Sequence, residues 1–176
     1  MMVRGWAALA LVFLGLLLGG CFPREDRGCP VCPGSGGAVI GVPFETVDQG
    51  EHSGIREERG VVVRDPKAWA ALWQEHTAGR ISPPPPPPVD FTRNMVVGYF
   101  LGEKSTAGYA VTVREIALHQ DPVVVRVQVE VRSPPPGDPV AQVLTQPFHL
   151  VQVQRFDLPV EFHLVHVRAD ERTARP

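Results

Sequence analysis

Apolar and polar residues alternate along much of the chain, the pattern of half-buried β-strands. In residues 123–132 a valine occupies every second position from 123 to 131, while Arg126, Gln128 and Glu130 fall between them. This alternation predicts an antiparallel strand with one buried face. Further strands are predicted at residues 44–48, 60–64, 95–101, 109–118, 147–155 and 161–168.

Two of these segments depart from simple alternation. Residues 95–101 are continuously apolar, which predicts a central strand covered on both faces. In residues 109–118 the alternation slips one position after Val113, and Ile116 is the next apolar residue in the new phase. A β-bulge near Arg114 and Glu115 would produce this slip.

One segment has helical periodicity instead. Between Trp69 and His76, residues suited to burial recur at i, i+3, i+4 and i+7. Asp65 is a favourable N-cap, and Pro66 is suited to the first helical position. We therefore predict a mainly β fold with one α-helix at about Pro66–His76, either an antiparallel β-sandwich or an open barrel.

Prolines separate the predicted elements. Residues 83–88 are six consecutive prolines, enough for roughly 19 Å of polyproline II helix. This segment fits either a stiff surface loop or a ligand for an aromatic groove. A second proline-rich segment, residues 133–139, links two predicted strands.

The N-terminal 20 residues are typical of a secretory signal peptide. Arg4 precedes an apolar stretch over residues 6–18 that is too short to span a bilayer. Leu18-Gly19-Gly20-Cys21 resembles a bacterial lipobox, in which Cys21 is lipidated and becomes the new N-terminus. A plain signal peptide ending at a cysteine is the alternative. The lipobox predicts a lipid-anchored protein of the bacterial cell envelope that faces the periplasm or the exterior.

The rest of the chain divides into a tether, a domain and a tail. Residues 21–38 are rich in proline, glycine and charge, which predicts a flexible tether. Residues 39–168 form the predicted β domain, and residues 169–176 a disordered tail. Cys29 and Cys32 lie in the tether as a C-x-x-C pair, for which we predict a disulfide. A two-ligand metal contribution and a redox pair are the alternatives.

Composition and motifs narrow the classes of function. The 176-residue chain has a formal net charge of −2, so no basic field indicates a nucleic-acid partner. Phosphate-binding loops and dinucleotide fingerprints do not occur in the sequence. His52 and Ser53 are adjacent, and neighbours in an extended chain point apart, so no catalytic residue is assigned. We expect a protein that is not an enzyme and that needs no cofactor and no metal.

A short loop is the strongest candidate for binding. It follows the apolar run 95–101 and precedes the strand beginning near residue 109, and its small residues allow a tight turn. A hairpin turn and a rigidly presented binding loop are the two interpretations. The candidate partner-binding residues are Lys104, Ser105, Thr106, Ala107, Gly108 and Tyr109.

The order of several segments resembles the protease-complex accessory subunit (PrcB) C-terminal domain family. The resemblance covers about residues 44–166. Its markers are Gln49-Gly50, Ser53-Gly54-Ile55, Arg64-Asp65 with Trp69 and Trp73, Gly102 with Gly108-Tyr109, and Thr145-Gln146-Pro147-Phe148-His149.

The resemblance implies a small, mainly β domain that is secreted or lipid-anchored, named for a subunit that helps a secreted protease to assemble. The Thr106-Ala107-Gly108-Tyr109 segment is also similar to the binding loop of chagasin-type cysteine-protease inhibitors. Three functions follow as hypotheses. The predicted function is a binding module for an envelope or secreted protein, such as an accessory or inhibitory subunit of a protease. The alternatives are a structural envelope lipoprotein without a dedicated ligand, and a redox or metal protein that uses Cys29 and Cys32.

Overall fold

The computed structural model describes residues 37–137 and 139–168. The predicted signal peptide, most of the predicted tether and the predicted tail lie outside these ranges. The described residues form β1 (Val39–Gly41), β2 (Phe44–Gly50), β3 (Glu58–Val63), α1 (Pro66–His76), β4 (Asn94–Leu101), β5 (Ala110–Gln120), β6 (Val123–Ser133), β7 (Phe148–Gln154) and β8 (Val160–Arg168).

The strands form two four-stranded sheets that pack face to face. One sheet has the order β1-β5-β6-β8 and the other the order β2-β7-β4-β3. The described strands form two separate sheets that do not close into a barrel, which confirms the β-sandwich prediction. Strand β6 pairs antiparallel with β5 but parallel with β8, which corrects the purely antiparallel prediction for this segment.

Two apolar clusters cover the two faces of the second sheet. The inner core lies between the sheets and comprises Met95, Val97, Tyr99, Leu101, Val111, Val113, Ile116, Val125, Val127, Val129, Val131, Val151 and Val153. The outer core lies on the opposite face, against α1, and comprises Ile55, Val63, Trp69, Leu72, Trp73, Phe91, Val96, Phe100, Phe148 and Leu150. Successive residues of β4 alternate between the two clusters, which explains the continuously apolar sequence of this strand.

Helix α1 begins and ends as its sequence predicts. The Asp65 carboxylate accepts a hydrogen bond of 2.8 Å from the backbone N–H of Ala68, which satisfies one of the free donors of the first turn. Pro66 occupies the first turn, where the missing N–H has no cost. The four residues of the predicted buried face are buried in the structure, which confirms the packing of both tryptophans against a sheet.

The two tryptophans also hold the polyproline segment through what we call the indole clasp. The indole N–H of Trp73 donates to the carbonyl of Pro84 at 2.8 Å, and that of Trp69 donates to the carbonyl of Pro87 at 3.0 Å. Residues three apart lie on the same face of a polyproline II helix, since this helix has three residues per turn. Residues 83–88 are therefore a stiff loop fixed against α1.

The remaining strand predictions are confirmed to within a few residues, and one strand is new. The pairing of β5 with β6 shifts register between Val113 and Glu115, where the sequence predicts a bulge. Strand β1 was not predicted, because it has only three residues, all exposed. Its residues Val39 to Gly41 pair with the C-terminal end of β5.

His149, on β7, joins the two sheets at the bulge of β5. Its side chain is 3 % exposed. The backbone N–H of Val113 donates to His149 Nδ1 at 2.8 Å, and His149 Nε2 lies 3.0 Å from Thr46 Oγ1. Nδ1 must therefore be unprotonated, and Nε2 carries the proton of the neutral ring. Burial, with a smaller contribution from the nearby Arg114, lowers the pKa of His149 to about 4.

This environment makes folding sensitive to acid. An unfolded histidine has a pKa of about 6.5, so the neutral His149 ring stabilises the fold fully above pH ~6.5, and this contribution is lost as pH falls towards 4. The difference corresponds to about 3 kcal/mol of unfolding free energy. We expect urea unfolding at pH 7 and pH 4 to show this loss, and the H149Q variant to show a smaller pH dependence by a similar amount. Equal pH dependence in both proteins would contradict the assignment.

Candidate protein-binding loop

The candidate loop connects the two sheets. It leaves β4 at Leu101, in one sheet, and reaches β5 at Ala110, in the other. The hairpin-turn interpretation is therefore wrong, because the strands on either side are not paired with each other. The loop lies at the end of the sandwich, where the chain passes from one layer to the next.

Gly102 makes the sharp exit from β4 possible. Its φ is +71°, a conformation that side chains other than glycine rarely adopt. A Cβ at this position would lie 2.9 Å from both the carbonyl oxygen of Arg56 and the backbone nitrogen of Glu58. The backbone of the β2–β3 connection therefore occupies the space that a larger residue would need.

A second segment, residues 139–147, runs beside the loop, and we call it the companion segment. Lys104 and Thr145 exchange two backbone hydrogen bonds, of 2.8 and 3.0 Å. The backbone N–H of Ala107 donates to the carbonyl of Ala141 at 3.0 Å. The loop is thus held along its length by main-chain contacts, which fixes its shape independently of a partner.

The six candidate residues all lie on this one loop, and the chain buries none of them fully. Ser105 and Gly108 are exposed, whereas the other four are partly buried. The ring of Tyr109 packs against the inner core, and the ammonium nitrogen of Lys104 lies 6.0 Å from the ring centroid. The loop therefore presents a small polar tip above a fixed aromatic base.

The base of the loop is also tied by charged groups. Glu58 accepts a hydrogen bond of 2.8 Å from the Tyr99 hydroxyl, and burial together with this carboxylate raises the pKa of Tyr99 to about 12. Glu103 lies 3.5 Å from the Arg56 guanidinium and accepts a hydrogen bond of 3.2 Å from the Gln146 amide. The contacts of Glu103 with Arg56 and Gln146 are largely exposed, so we assign them orientation rather than much stability.

The companion segment adds an apolar component that the sequence analysis missed. Val143 and Leu144 are 49 % and 59 % exposed, and they lie between the two positions at which the segment bonds to the loop. Neighbouring exposed aliphatic side chains are a frequent feature of protein interaction sites. In the sequence, Val143 and Leu144 are only two adjacent apolar residues in a segment without periodicity. They indicate a binding surface only once the structure places this segment beside the loop. The candidate binding surface comprises the 104–109 loop with Val143 and Leu144.

The other predicted site residues lie outside the described part of the chain. These are the lipidation residue Cys21 and the C-x-x-C pair Cys29 and Cys32. Within the residues that the structure describes, no group of three His, Cys, Asp or Glu side chains is arranged to hold a metal ion. Among the same residues, no helix has the length and apolar character needed to cross a membrane.

The fold and the loop define a small β-sandwich domain with a rigidly held surface loop. The PrcB C-terminal family model matches residues 95–154, which confirms the resemblance to this family over that segment. The matched segment runs from β4 to β7 and contains the whole candidate binding surface. Searches of curated proteins and of solved structures gave no match to this chain.

The crowding at Gly102 predicts how the loop can be disrupted. We expect the G102A variant to lose about 1–3 kcal/mol of unfolding free energy, because the new methyl group combines backbone strain with displacement of the β2–β3 connection. G79A is the matched control, since Gly79 has a φ of +90° but open space where its Cβ would lie. Chemical unfolding of both variants measures the difference, and equal losses would show that crowding at Gly102 has no effect.

Proposed function

We propose that this chain is a lipid-anchored protein-binding module of the bacterial cell envelope, which binds a secreted or envelope protein through the 104–109 loop and the companion segment. The family match indicates a role associated with a protease complex. A protease, or a protein assembled with one, is therefore the proposed partner. The observation that carries the proposal is the loop held in place beside exposed Val143 and Leu144.

The main-chain contacts of the loop favour binding because they reduce its entropic cost. A flexible loop must be ordered when a partner binds, and each ordered residue opposes association. Here Lys104, Ala107 and Thr145 already hold the loop through backbone hydrogen bonds. Binding energy from new contacts is therefore not consumed in fixing the loop.

The exposed side chains offer the composition of a small interface. Leu144 and Val143 supply apolar area that a partner can cover, and Ser105 adds a polar group at the rim. Tyr109 and Lys104 are partly buried and position the tip, so truncating them changes its shape as well as its contacts.

Replacing Leu144 with aspartate tests the binding surface. We expect L144D to lower the yield of specifically captured partner about tenfold or more, since a buried, unpaired carboxylate opposes complex formation. The measurement is cross-linking of the membrane-anchored chain in the producing bacterium, followed by quantitative mass spectrometry. Tyr109→Ala should also weaken capture, through loss of the base of the loop.

Ile81 provides the matched control for that experiment. It is an exposed aliphatic residue on the connection between α1 and β4, away in sequence from the loop. The I81D variant should capture the partner as the wild type does. If L144D, Y109A and the wild type capture the same proteins at the same level, the chain is a structural lipoprotein without a ligand at this surface.

The effect on protease activity separates two forms of the proposal. An accessory subunit increases the amount of assembled, active protease, whereas an inhibitory subunit lowers the activity of protease that is already assembled. Adding the purified chain to the captured protease, with L144D as the inactive comparison, measures the difference directly.

The proposal of lipid anchoring rests on the Leu18-Gly19-Gly20-Cys21 sequence. Two or three acyl chains on Cys21 would give stable membrane attachment, at about 0.8 kcal/mol for each buried methylene. We expect metabolic labelling with radioactive palmitate to mark the wild type and not C21S, and only the wild type to enter the detergent phase on phase separation. Equal labelling of both would refute Cys21 as the lipidation site.

A further inference from the structure

A serine, a histidine and an aspartate from three different parts of the chain form a continuous hydrogen-bonded row. Ser53 Oγ lies 2.9 Å from His76 Nδ1, and His76 Nε2 lies 3.1 Å from Asp48 Oδ2. Asp48 lies on β2, Ser53 on the β2–β3 connection, and His76 is the last residue of α1. Serine hydrolases use the same order of groups, serine to histidine to aspartate, to activate a hydroxyl, but here the two ring nitrogens have exchanged partners.

The proton positions follow from the chemistry of the three groups. An ionised carboxylate can only accept, so the contact with Asp48 requires the ring proton on His76 Nε2. Nδ1 then carries the free lone pair and accepts a hydrogen bond from the Ser53 hydroxyl. Arg80 lies 3.3 Å from Nε2 and 3.8 Å from Asp48 Oδ2, and in this tautomer it acts as an ionic neighbour of the carboxylate.

The local fold brings the three groups together by two departures from regular structure. The register of β2 shifts between Thr46 and Asp48, and a bulge at such a point redirects the side chain that follows it. Gly54 lets the β2–β3 connection approach the end of α1, because a Cβ there would lie only 2.2 Å from the carbonyl oxygen of Glu75. The N–H of Gly54 donates to the carbonyl of His76 at 2.7 Å, which places Ser53 against the ring.

The histidine is held in one orientation and kept neutral. Its side chain is fully buried, with its ring centroid 4.3 Å from that of Phe148 and 5.3 Å from that of Trp73. Burial lowers the pKa of His76, although Asp48 opposes this effect. A neutral, fixed imidazole is the form that accepts a proton from a serine hydroxyl.

The serine end of the row borders a pocket. The pocket has a volume of about 210 Å³, and Ser53 and His76 form part of its wall. Gly79 leaves open space at the wall, while Arg80 and Gln146 contribute the polar groups.

We propose that Ser53 is a nucleophile, with His76 as its general base and Asp48 as the positioning residue, in a site that takes small acyl esters. This activity goes beyond the proposed binding function and does not depend on it. In the sequence, Ser53 follows His52 directly, and neighbours in an extended chain point apart. The structure instead pairs it with a histidine 23 residues away.

The reaction that these groups support has two steps. Ser53 Oγ attacks the ester carbonyl and transfers its proton to His76 Nδ1, and the alcohol leaves with that proton as an acyl-serine forms. Water then attacks the acyl-serine, giving its proton to His76 Nδ1, and the carboxylic acid is released as Ser53 recovers its proton. No oxidant, reductant or cofactor is required.

A fluorophosphonate probe tests whether Ser53 is activated. Attack by Ser53 Oγ forms a bond to phosphorus and releases fluoride, with the hydroxyl proton leaving through His76. We expect mass spectrometry of the full-length wild type to locate the adduct on Ser53 at least about 100-fold above Ser82, an exposed serine that has no hydrogen bond to a histidine among the described residues. Equal modification of the two serines, or loss of selectivity for Ser53, would overturn the proposal.

Two variants separate activation from a structural role of the same hydrogen bonds. D48N should reduce the rate constant of adduct formation about 100-fold while the concentration for half-maximal rate changes little, because asparagine favours the other histidine tautomer. S82A should react as the wild type does. A D48N variant that folds and reacts at the wild-type rate would show that the row only ties the β2–β3 connection to α1.

Hydrolysis of p-nitrophenyl acetate tests the class of substrate. The wild type should release nitrophenolate at least about tenfold faster than S53A, and equal rates would overturn the acyl-ester assignment. S53A should still capture its protein partner like the wild type, whereas L144D should keep its reactivity with the probe. The two proposals therefore fail independently.

Discussion

Strand β4 is apolar on both faces, and the arrangement of the described sheets and helix follows from the need to cover both faces. Its residues alternate between the inner core and the outer core, for example Val97 on one side and Val96 on the other. A strand of this kind needs one layer above it and another below it. The sheet β1-β5-β6-β8 covers one face and α1 covers the other, so the fold requires the helix.

The candidate binding surface is held in place by the same strand. The 104–109 loop leaves β4 directly, and Gly102 allows the chain to turn away within one residue of the buried strand. The companion segment returns to the same sheet as β7, which pairs with β4. Both halves of the candidate binding surface therefore begin or end on strands in the centre of one sheet.

Much of the fold could be predicted because its signals are local. Alternation along β6, the slip after Val113 and the cap at Asp65 each depend on a few neighbouring residues. The parallel pairing of β6 with β8 could not be predicted in this way. The chain leaves the first sheet to form β7 and then returns, so β8 runs in the same direction as β6, and this depends on a path of more than twenty residues.

The candidate sites follow the same division. The 104–109 loop could be predicted from its small residues between two strands. Leu144 could not be predicted as part of the candidate binding surface, because its place there depends on the pairing of the companion segment with the loop. Likewise, Asp48 and His76 are 28 residues apart, and their contact depends on how the outer core places α1 on the sheet. No short pattern in the sequence contains such a contact.

The indole clasp has a consequence for how this protein can change over evolutionary time. Both tryptophans donate to backbone carbonyl oxygens, which every amino acid possesses. The two hydrogen bonds therefore depend on the spacing of the carbonyl groups along the backbone and not on the proline rings. Residues between Pro84 and Pro87 can be exchanged for others that keep the extended helix. Insertion of one residue there would turn a carbonyl by about 120° away from its indole. The segment should therefore tolerate drift in composition while its length stays constant.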